Sequence, residues 1–404
     1  MRILFLTNLL PYPLDNGGKI KTYTTIKSFF RTGYEVDLLC FKEQDDLMFE
    51  EESEMLKMCK SVNQVQLTLT TAGNEKYMIG IAIKSLFSKL PFSIYKYKSK
   101  KMLENIYSKD GELYDVVYFD HLPMCVYLKD VRKLWPKARI ILDEHNCESN
   151  ITRRKEKESK IFLKKCFLKL ENYKLEKFET YSINNVSKTI VVSKEDYNSL
   201  RLLLKKEFEH EIIPIGVPDR GLKKNKYTNI LKILFIGTLT WEPNNLGLIW
   251  FLKEVMPIIE SKKINYHLYI VGRNPSSDVK KLCEKYKNSI TITGYVDSVD
   301  EYYDKCDCTI VPLFIGSGQR VKLIEAFSKG MPAISTEIGA EGLEYINNES
   351  IIIANDKETF ADAILLMQNE KIRLKLGDNG RKIYDKLYST EAIEKIISNV
   401  VNIR

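Results

Sequence analysis

Paired cysteines are missing from this sequence. Its eight cysteines stand at 40, 59, 125, 147, 166, 283, 306 and 308. No two of them have the CxxC spacing, and Cys306 and Cys308 are too close for a usual zinc pair. Several lie in apolar runs and read as reduced core cysteines, the usage of a cytosolic chain. Also missing is any apolar run as long as a membrane span. The opening stretch, MRILFLTNLLPYPLDNGG, is apolar enough to imitate a secretion leader. It has no small-residue cleavage site and runs straight into Pro11 and Pro13, so a strand and then a loop are expected there. Thr7 to Gly18 lacks the GxGxxG spacing, which speaks against a hydride-transfer enzyme. Nor is charge of one sign in large excess: 62 Lys and Arg against 54 Asp and Glu leave a net +8. That permits contact with phosphates or an anionic membrane surface and does not call for nucleic acid. At 404 residues the chain has room for two domains, each with its own core.

What is present concentrates between Cys308 and Leu343, CTIVPLFIGSGQRVKLIEAFSKGMPAISTEIGAEGL. Cys308 to Leu313 has the length and composition of a buried strand. Gly316, Ser317 and Gly318 form a sharp loop, and a helix is expected from about Gln319 to Ser328, stopped by Gly330 and Pro332. Ala333 to Thr336 is the next strand. A glycine loop feeding a helix N-terminus favours an anion, because free N–H groups and the positive end of the helix dipole meet there. The helix also works against its own preferences. Arg320 and Lys322 oppose the dipole in its first turn, and Glu325 sits in the mostly apolar run VKLIEAF, where an unpaired carboxylate is costly. Such local conflicts mark functional sites. A diphosphate would satisfy the two cations, and a pair of ligand hydroxyls would satisfy Glu325. The plainer reading is a solvated face with a Lys322–Glu325 pair three residues apart.

The rest of the chain repeats one pattern. Arg2 to Thr7 is a strand, Asn8 to Gly18 a loop holding the pair Gly17-Gly18, and Lys19 to Arg31 a helix; Val36 to Phe41 is the second strand. This is the start of a doubly wound fold. Further strands are expected at Val65–Leu69, Tyr114–Phe119, Arg139–Leu142, Ile190–Val192 and Ile212–Ile215. In such sheets ligands sit beyond the carboxyl ends of strands, which singles out His121, then His145 and Asn146. Gly216 to Asn229 is a polar linker. The pattern then restarts with strands at Lys232–Ile236, Tyr266–Val271 and Ile290–Thr293 and a helix at Asn244–Ile259. Gly237, Gly272, Gly294 and Gly316 fall at four strand ends and suggest one crevice with close ligand approach. Residues 389–400 form a last amphipathic helix capped by Ser389 or Thr390. Two stretches are basic and partly aromatic. Lys84 to Lys109 holds seven lysines against one acid, and Arg153 to Lys177, read as one long helix, holds ten basic residues and four acids. An apolar stripe of Ile161, Leu163, Phe167, Leu170 and Tyr173 on the latter faces either the core or an anionic lipid surface.

The run GSGQRVKLIEAFSKGMPAIST followed by IGAEGL resembles the donor-sugar motif of the retaining GT-B glycosyltransferases of family 4. The resemblance covers nearly the whole chain and is specific mainly in residues 308–343. It implies an α/β GT-B fold, two Rossmann-like doubly wound domains facing a central cleft. The expected division is 1–216 on the acceptor side, a linker 217–229, a nucleotide-sugar domain 230–384, and a helix 385–404 crossing back. It implies that Glu325 binds the ribose of a nucleotide-sugar and that Arg320 and Lys322 hold its diphosphate. Gly316, Ser317, Gly318, Gln319 and Leu323 would complete that segment. Gly237, Thr238, Gly272, Arg273, Gly294, Tyr295 and Val296 would line the donor site from the other strand ends. Ser317 stands where the family usually has a second Glu. The loop GTLTWEPNN lacks the family's usual basic pair, which leaves the phosphate charge to Arg320 and Lys322, with Arg273. His121 would sit near the donor sugar and lend its ring to positive charge developing there. Gly17, Gly18, Lys19, His145 and Asn146 would face the acceptor.

The expected activity is transfer of a sugar from a UDP- or GDP-sugar to a glycan or lipid-linked acceptor, with retention, in surface polysaccharide synthesis. The nucleotide-sugar is a substrate, so no cofactor is expected. No metal is expected either, because the DxD-like string Asp304-Lys305-Cys306-Asp307 has the wrong spacing for a metal-binding pair. The expected place is the cytoplasm, peripheral on the inner face of the plasma membrane. Two other classes stay open: a non-hydrolysing UDP-sugar epimerase, for which no carboxylate pair stands out, and an inactive GT-B scaffold partner.

Overall fold

The structure is a computed structural model that describes residues 1–14, 16–43, 49–68, 74–222, 229–316 and 318–401. Ser317 therefore lies outside the described residues, as does 223–228 of the expected linker. The chain divides into two compact units, Met1–Ile215 with Ile393–Arg404, and Gly216–Ala392.

The first unit holds a seven-stranded sheet. Its strands are β1 (Arg2–Thr7), β2 (Glu35–Lys42), β3 (Ser61–Gln66), β4 (Val116–Asp120), β5 (Arg139–Glu144), β6 (Lys188–Val191) and β7 (His210–Ile212). Their order is 3-2-1-4-5-6-7 and every pairing is parallel. A parallel sheet is covered on both faces, so its strands are apolar throughout. Alternate residues of β1 serve opposite faces: Leu4 and Leu6 join Phe119 and Leu142 on one side, while Ile3 and Phe5 join Phe29 and Tyr118 on the other. The last helix, Thr390–Val401, adds Ile393, Ile397 and Val400 to the Ile3–Phe5 side. Ser389 caps it, its Oγ accepting from the Ala392 N–H at 3.2 Å.

The second unit holds six parallel strands: β8 (Leu231–Ile236), β9 (Tyr266–Val271), β10 (Ile290–Gly294), β11 (Cys308–Val311), β12 (Ala333–Ser335) and β13 (Ile352–Ile353). Their order, 10-9-8-11-12-13, repeats the first unit's plan. In each sheet the order reverses between the first-formed central strand and the strand beside it, β1 with β4 and β8 with β11. Those switch points are where doubly wound sheets receive ligands.

Several sequence expectations shift. The third strand is Ser61–Gln66 and not Val65–Leu69. It is an edge strand, half-buried along most of its length, so its polar sequence SVNQVQ did not announce it. Gly17 and Gly18 lie in the first turn of a helix, Gly17–Arg31, and not in a loop, because Asn16 caps it by accepting from the Lys19 N–H at 3.0 Å. The expected long helix over 153–177 is two helices, Glu148–Glu158 and Phe162–Asn184, with extended backbone at Ser159 and Ile161. Arg153 on the first meets Glu176 on the second at 2.6 Å. The stripe on that segment does not enter the core: Ile161 is 64% exposed and Leu163 78%. The two-residue strand β13 carries too little pattern to be seen in the sequence.

Candidate functional site

In the second unit β11 ends at Val311 and leads to Gly316, whose φ of 122° only glycine adopts readily. A Cβ there would stand 2.7 Å from Arg320 Nη2, so the missing side chain leaves the guanidinium its place. Arg320 is buried and its guanidinium lies 5.6 Å from the centre of the Trp241 ring. It is the extended cap residue of the helix Val321–Ser328 and not part of a first turn beginning at Gln319. Lys322 is the second residue of that helix, and no acid balances it in the first turn. Its Nζ donates to Ile236 O (2.5 Å) and Asn244 Oδ1 (3.0 Å), two uncharged acceptors. Burial, then the Arg320 charge beside it, lowers the Lys322 pKa to about 7. Lys322 thus meets two uncharged acceptors beside a second cation at a helix start, a setting that suits an anion.

Glu325 follows one turn later, and here the sequence expectation needs correction. Neither an unpaired carboxylate nor a Lys322–Glu325 pair is found. Arg220 donates from Nη2 to Glu325 Oε1 (2.6 Å) and from Nη1 to both oxygens of Asp300 (3.0 Å each), while the Tyr303 hydroxyl donates to Glu325 Oε2 (3.2 Å). An Arg fork of this kind fixes the carboxylate in orientation as well as charge. Each Glu325 oxygen keeps a lone pair for a further donor. Arg220 had been read only as part of a polar linker. Nothing in the local string DRG distinguishes it, because its partners are 80 and 105 residues away in sequence.

The strand-end glycines act differently from the expected open crevice. A Cβ on Gly237 would lie 2.5 Å from Asn244 Nδ2, and one on Gly272 2.0 Å from Gly237 O. These two glycines make room for protein, not for a ligand. Asn244, missed in the sequence, gains its place beside Gly237, donates to Thr238 O (3.0 Å) and accepts from Lys322. Gly294 has φ 74° and open space where a side chain would be. Tyr295 (72% exposed) and Arg273 are at the surface, and Val296 packs beside Tyr303 and Tyr269. Leu323 is fully buried and its N–H donates to Arg320 O (2.9 Å), so neither its side chain nor that N–H is open to a ligand. Gln319 donates to Gly342 O (2.6 Å), which ties the loop to the IGAEGL segment.

The first unit carries a second polar cluster, at the ends of β1, β4 and β5. His121 follows β4 with φ 73° and ψ 140°, a strained backbone for a residue with a side chain. Its Nδ1 lies 3.0 Å from Asp120 Oδ2, and His145 Nε2 lies 2.8 Å from Asp120 Oδ1. The two imidazoles stack at 3.6 Å. Thr7 and Thr22 hydroxyls also donate to Asp120 (2.6 and 2.8 Å). Lys21 bonds Asp143, and the Tyr118 hydroxyl donates to the other Asp143 oxygen at 2.7 Å. Burial opposes charge on His121, but Asp120 outweighs it by charge and hydrogen bond, and the His121 pKa is raised. Burial, then His121 and Lys21, push the His145 pKa down to about 4. Asp120 thus favours the protonated form of His121, while His145 is held as the neutral ring. A Cβ on Gly18 would lie 3.4 Å from His121 Nε2, so the expected positions Gly18, His121 and His145 do come together. Gly17 and Lys19 flank Gly18 in the helix's first turn, and Asn146 is half-buried beside His145. Asp120, His121 and His145 offer ligand atoms within 4.8 Å of one another, the spacing of a metal site, among the described residues. Here those atoms bond one another.

Two parallel sheets of this order, each with a polar cluster at its switch point, are the GT-B fold. Solved structures share it along their whole length. Sucrose-phosphate synthase from Thermosynechococcus elongatus matches with TM-score 0.71 and 16% identity, covering 99% of this chain and 98% of that one. HepE from Anabaena, solved with UDP and glucose, matches with TM-score 0.64 and 12% identity over 99% of each chain. TarM from S. aureus, solved with Fondaparinux, alpha-GlcNAc-glycerol and UDP, matches with TM-score 0.66 and 13% identity over 100% of each. Residues 231–370, within the second unit, match the family model described as Glycosyl transferases group 1. A curated relative from Klebsiella pneumoniae, an uncharacterized 44.6 kDa protein in the cps region, is 28% identical over 375 residues, 90% of each chain.

Proposed function

We propose that this protein is a retaining, metal-independent glycosyltransferase that moves a sugar from a UDP- or GDP-sugar to a glycan or lipid-linked acceptor. The observation that carries the reading is the pair Arg320–Lys322 at the start of the helix Val321–Ser328, with Arg220-held Glu325 one turn on. The donor diphosphate fits the two cations and the helix N-terminus, and the ribose hydroxyls fit the remaining lone pairs of Glu325. The charge that a metal ion supplies in other transferases comes here from Arg320 and Lys322. That HepE and TarM were solved with UDP supports the donor class. The cps-region relative supports a role in surface polysaccharide assembly. Contact with the inner face of the plasma membrane through the basic stretches 84–109 and 153–177 suits a lipid-linked acceptor.

In the step itself, the acceptor oxygen bonds to the anomeric carbon on the face the diphosphate leaves. The carbon–diphosphate bond breaks, and a diphosphate oxygen takes the acceptor's proton. Arg320 and Lys322 stabilise the charge on the leaving group. His121, held by Asp120 at Nδ1, orients the donor sugar and lends its ring to the positive charge that develops nearby. His121→Ala is then expected to lower turnover far more than nucleotide affinity.

The test is two-part. UDP or GDP, and the matching sugar nucleotide, should raise the melting temperature of the full chain. The anomeric proton of the product, read by NMR from a defined donor, should keep the donor's configuration. An inverted product, or activity abolished by EDTA and restored by magnesium, would overturn the mechanism.

A further inference from the structure

A cavity of about 770 Å³ opens on the first unit, bounded by Ser88–Leu90, by the turn helix Leu122–Tyr127 and by the long helix Phe162–Asn184. None of the polar cluster around Asp120 lines it. Five lysines do, Lys89, Lys98, Lys129, Lys174 and Lys177, with no Asp or Glu among the lining residues. Two of these cations are fixed. Lys174 Nζ donates to Ser85 O (2.7 Å) and Leu86 O (3.2 Å), and Lys177 Nζ donates to the Tyr173 hydroxyl (2.5 Å) with the ammonium 4.2 Å from that ring's centre. The walls behind them are apolar: Leu90, Val126 and Phe178. Glu171 lies near enough to feel the Lys174 charge but does not line the cavity, so an entering anion would meet five cations beside a low-dielectric wall. Two of the lining residues are exposed aromatics, Tyr173 at 55% and Tyr181 at 44%. Aromatic side chains offered to solvent beside lysine stems are the composition of a surface that meets a membrane interface.

From the combination of a lysine ring, an apolar wall and exposed aromatics, we propose that this cavity binds an anionic phospholipid, its phosphate among the lysines and the first part of an acyl chain against Leu90, Val126 and Phe178. The size suits this: the cavity is within the range that holds a drug-sized molecule, more than a free phosphate needs. The site deepens the membrane contact proposed above by giving it one defined lipid, and it stands or falls separately from sugar transfer.

The experiment uses the full chain and a soluble short-chain probe, dihexanoyl phosphatidylglycerol, titrated by calorimetry beside dihexanoyl phosphatidylcholine, inorganic phosphate and a heparin oligosaccharide. Phosphatidylglycerol should bind, and the other three should bind at least about tenfold more weakly. Val126→Trp, which fills the cavity, and the surface double change Lys89→Glu/Lys129→Glu should each weaken phosphatidylglycerol on the order of tenfold. The double change keeps the test valid if Val126→Trp does not fold. Lys280→Glu/Lys281→Glu, equal in charge but exposed on the helix Ser277–Glu284 of the second unit, should leave it unchanged. Flotation with phosphatidylcholine vesicles, with and without phosphatidylglycerol, gives the second readout. Phosphate or heparin binding as tightly as the lipid would overturn the lipid site in favour of a plain anion patch. Equal loss in the Lys280/Lys281 control would reduce it to general surface charge. Flotation that persists in the cavity variants would leave the membrane contact standing and remove this site.

Discussion

In the first unit a buried lysine, Lys21, meets a buried aspartate, Asp143; their side chains are 2% and 1% exposed. In the second unit Lys322 meets a backbone carbonyl and an asparagine, with the Arg320 charge next to it. The strand order is the same and both residues lie at the switch point, yet the charge accounting is opposite. Where ions are compensated within the protein, they hold the fold. Where Lys322 meets uncharged acceptors beside a second cation, the cost appears as a lowered Lys322 pKa.

Breaking the compensated pair should have the largest effect. Asp143→Asn leaves the Lys21 ammonium buried without its anion, and should cost about 3–5 kcal/mol of stability. Urea unfolding of the full chain measures it, and a loss below about 1 kcal/mol would mean that water or a rearranged partner takes the charge. The same operation on the second unit should behave differently. Lys322→Met should leave stability within about 1 kcal/mol. Lys322→Ala or Arg320→Ala should instead weaken nucleoside-diphosphate binding by about 1.5–3 kcal/mol, the range for hydrogen bonds to charged groups. Titration calorimetry reads this, and unchanged affinity in both variants with the fold intact would end the donor assignment.

The contrast also explains what the sequence could and could not tell. Twelve of the thirteen strands were expected at or near their observed positions, because parallel strands are apolar on both faces and punctuated by glycine. Both edge strands of the first sheet moved, β3 from Val65–Leu69 to Ser61–Gln66 and β7 from Ile212–Ile215 to His210–Ile212, and the two-residue β13 was missed. Arg320, Lys322 and Glu325 were visible because they break the preferences of their own helix. Their partners were not. Arg220, Asn244 and Tyr303 reach the site from distant segments and sit locally where such residues commonly do. The same holds for Asp120, Asp143 and Lys21. Conflict within a segment can be read along a chain; its resolution between segments needs the fold.

A smaller effect separates Arg220 from the cations it resembles. It touches Glu325 and Asp300, so under the proposed donor site it would act on the ribose through Glu325 and not on the phosphates. Arg220→Gln should weaken UDP or GDP by on the order of 1 kcal/mol, while inorganic pyrophosphate, which has no ribose, binds as before. Arg220→Lys, which keeps the charge and loses the fork, should recover only part of the loss. Equal weakening of pyrophosphate would place Arg220 with Arg320 and Lys322.

The smallest effect is a fraction of a proton, and it tests the uncompensated lysine directly. Lys322 titrates at about 7 against an ordinary 10.5, because burial and then Arg320 disfavour its charged form. Above about pH 7 the unliganded protein therefore carries Lys322 mostly neutral, and below it mostly charged. A bound diphosphate supplies the missing negative charge and raises the pKa again. Binding must then take up a proton, from near zero at about pH 6 to nearly one at about pH 8.5. Calorimetry in two buffers of different ionisation enthalpy measures the uptake at each pH. The nucleotide's own terminal phosphate contributes as well, so the decisive quantity is the difference from Lys322→Ala. In that variant the rise between neutral and alkaline pH should vanish while the phosphate's part remains. An uptake curve identical in the two proteins would mean that Lys322 is already charged before ligand arrives, and the second unit would then be compensated like the first.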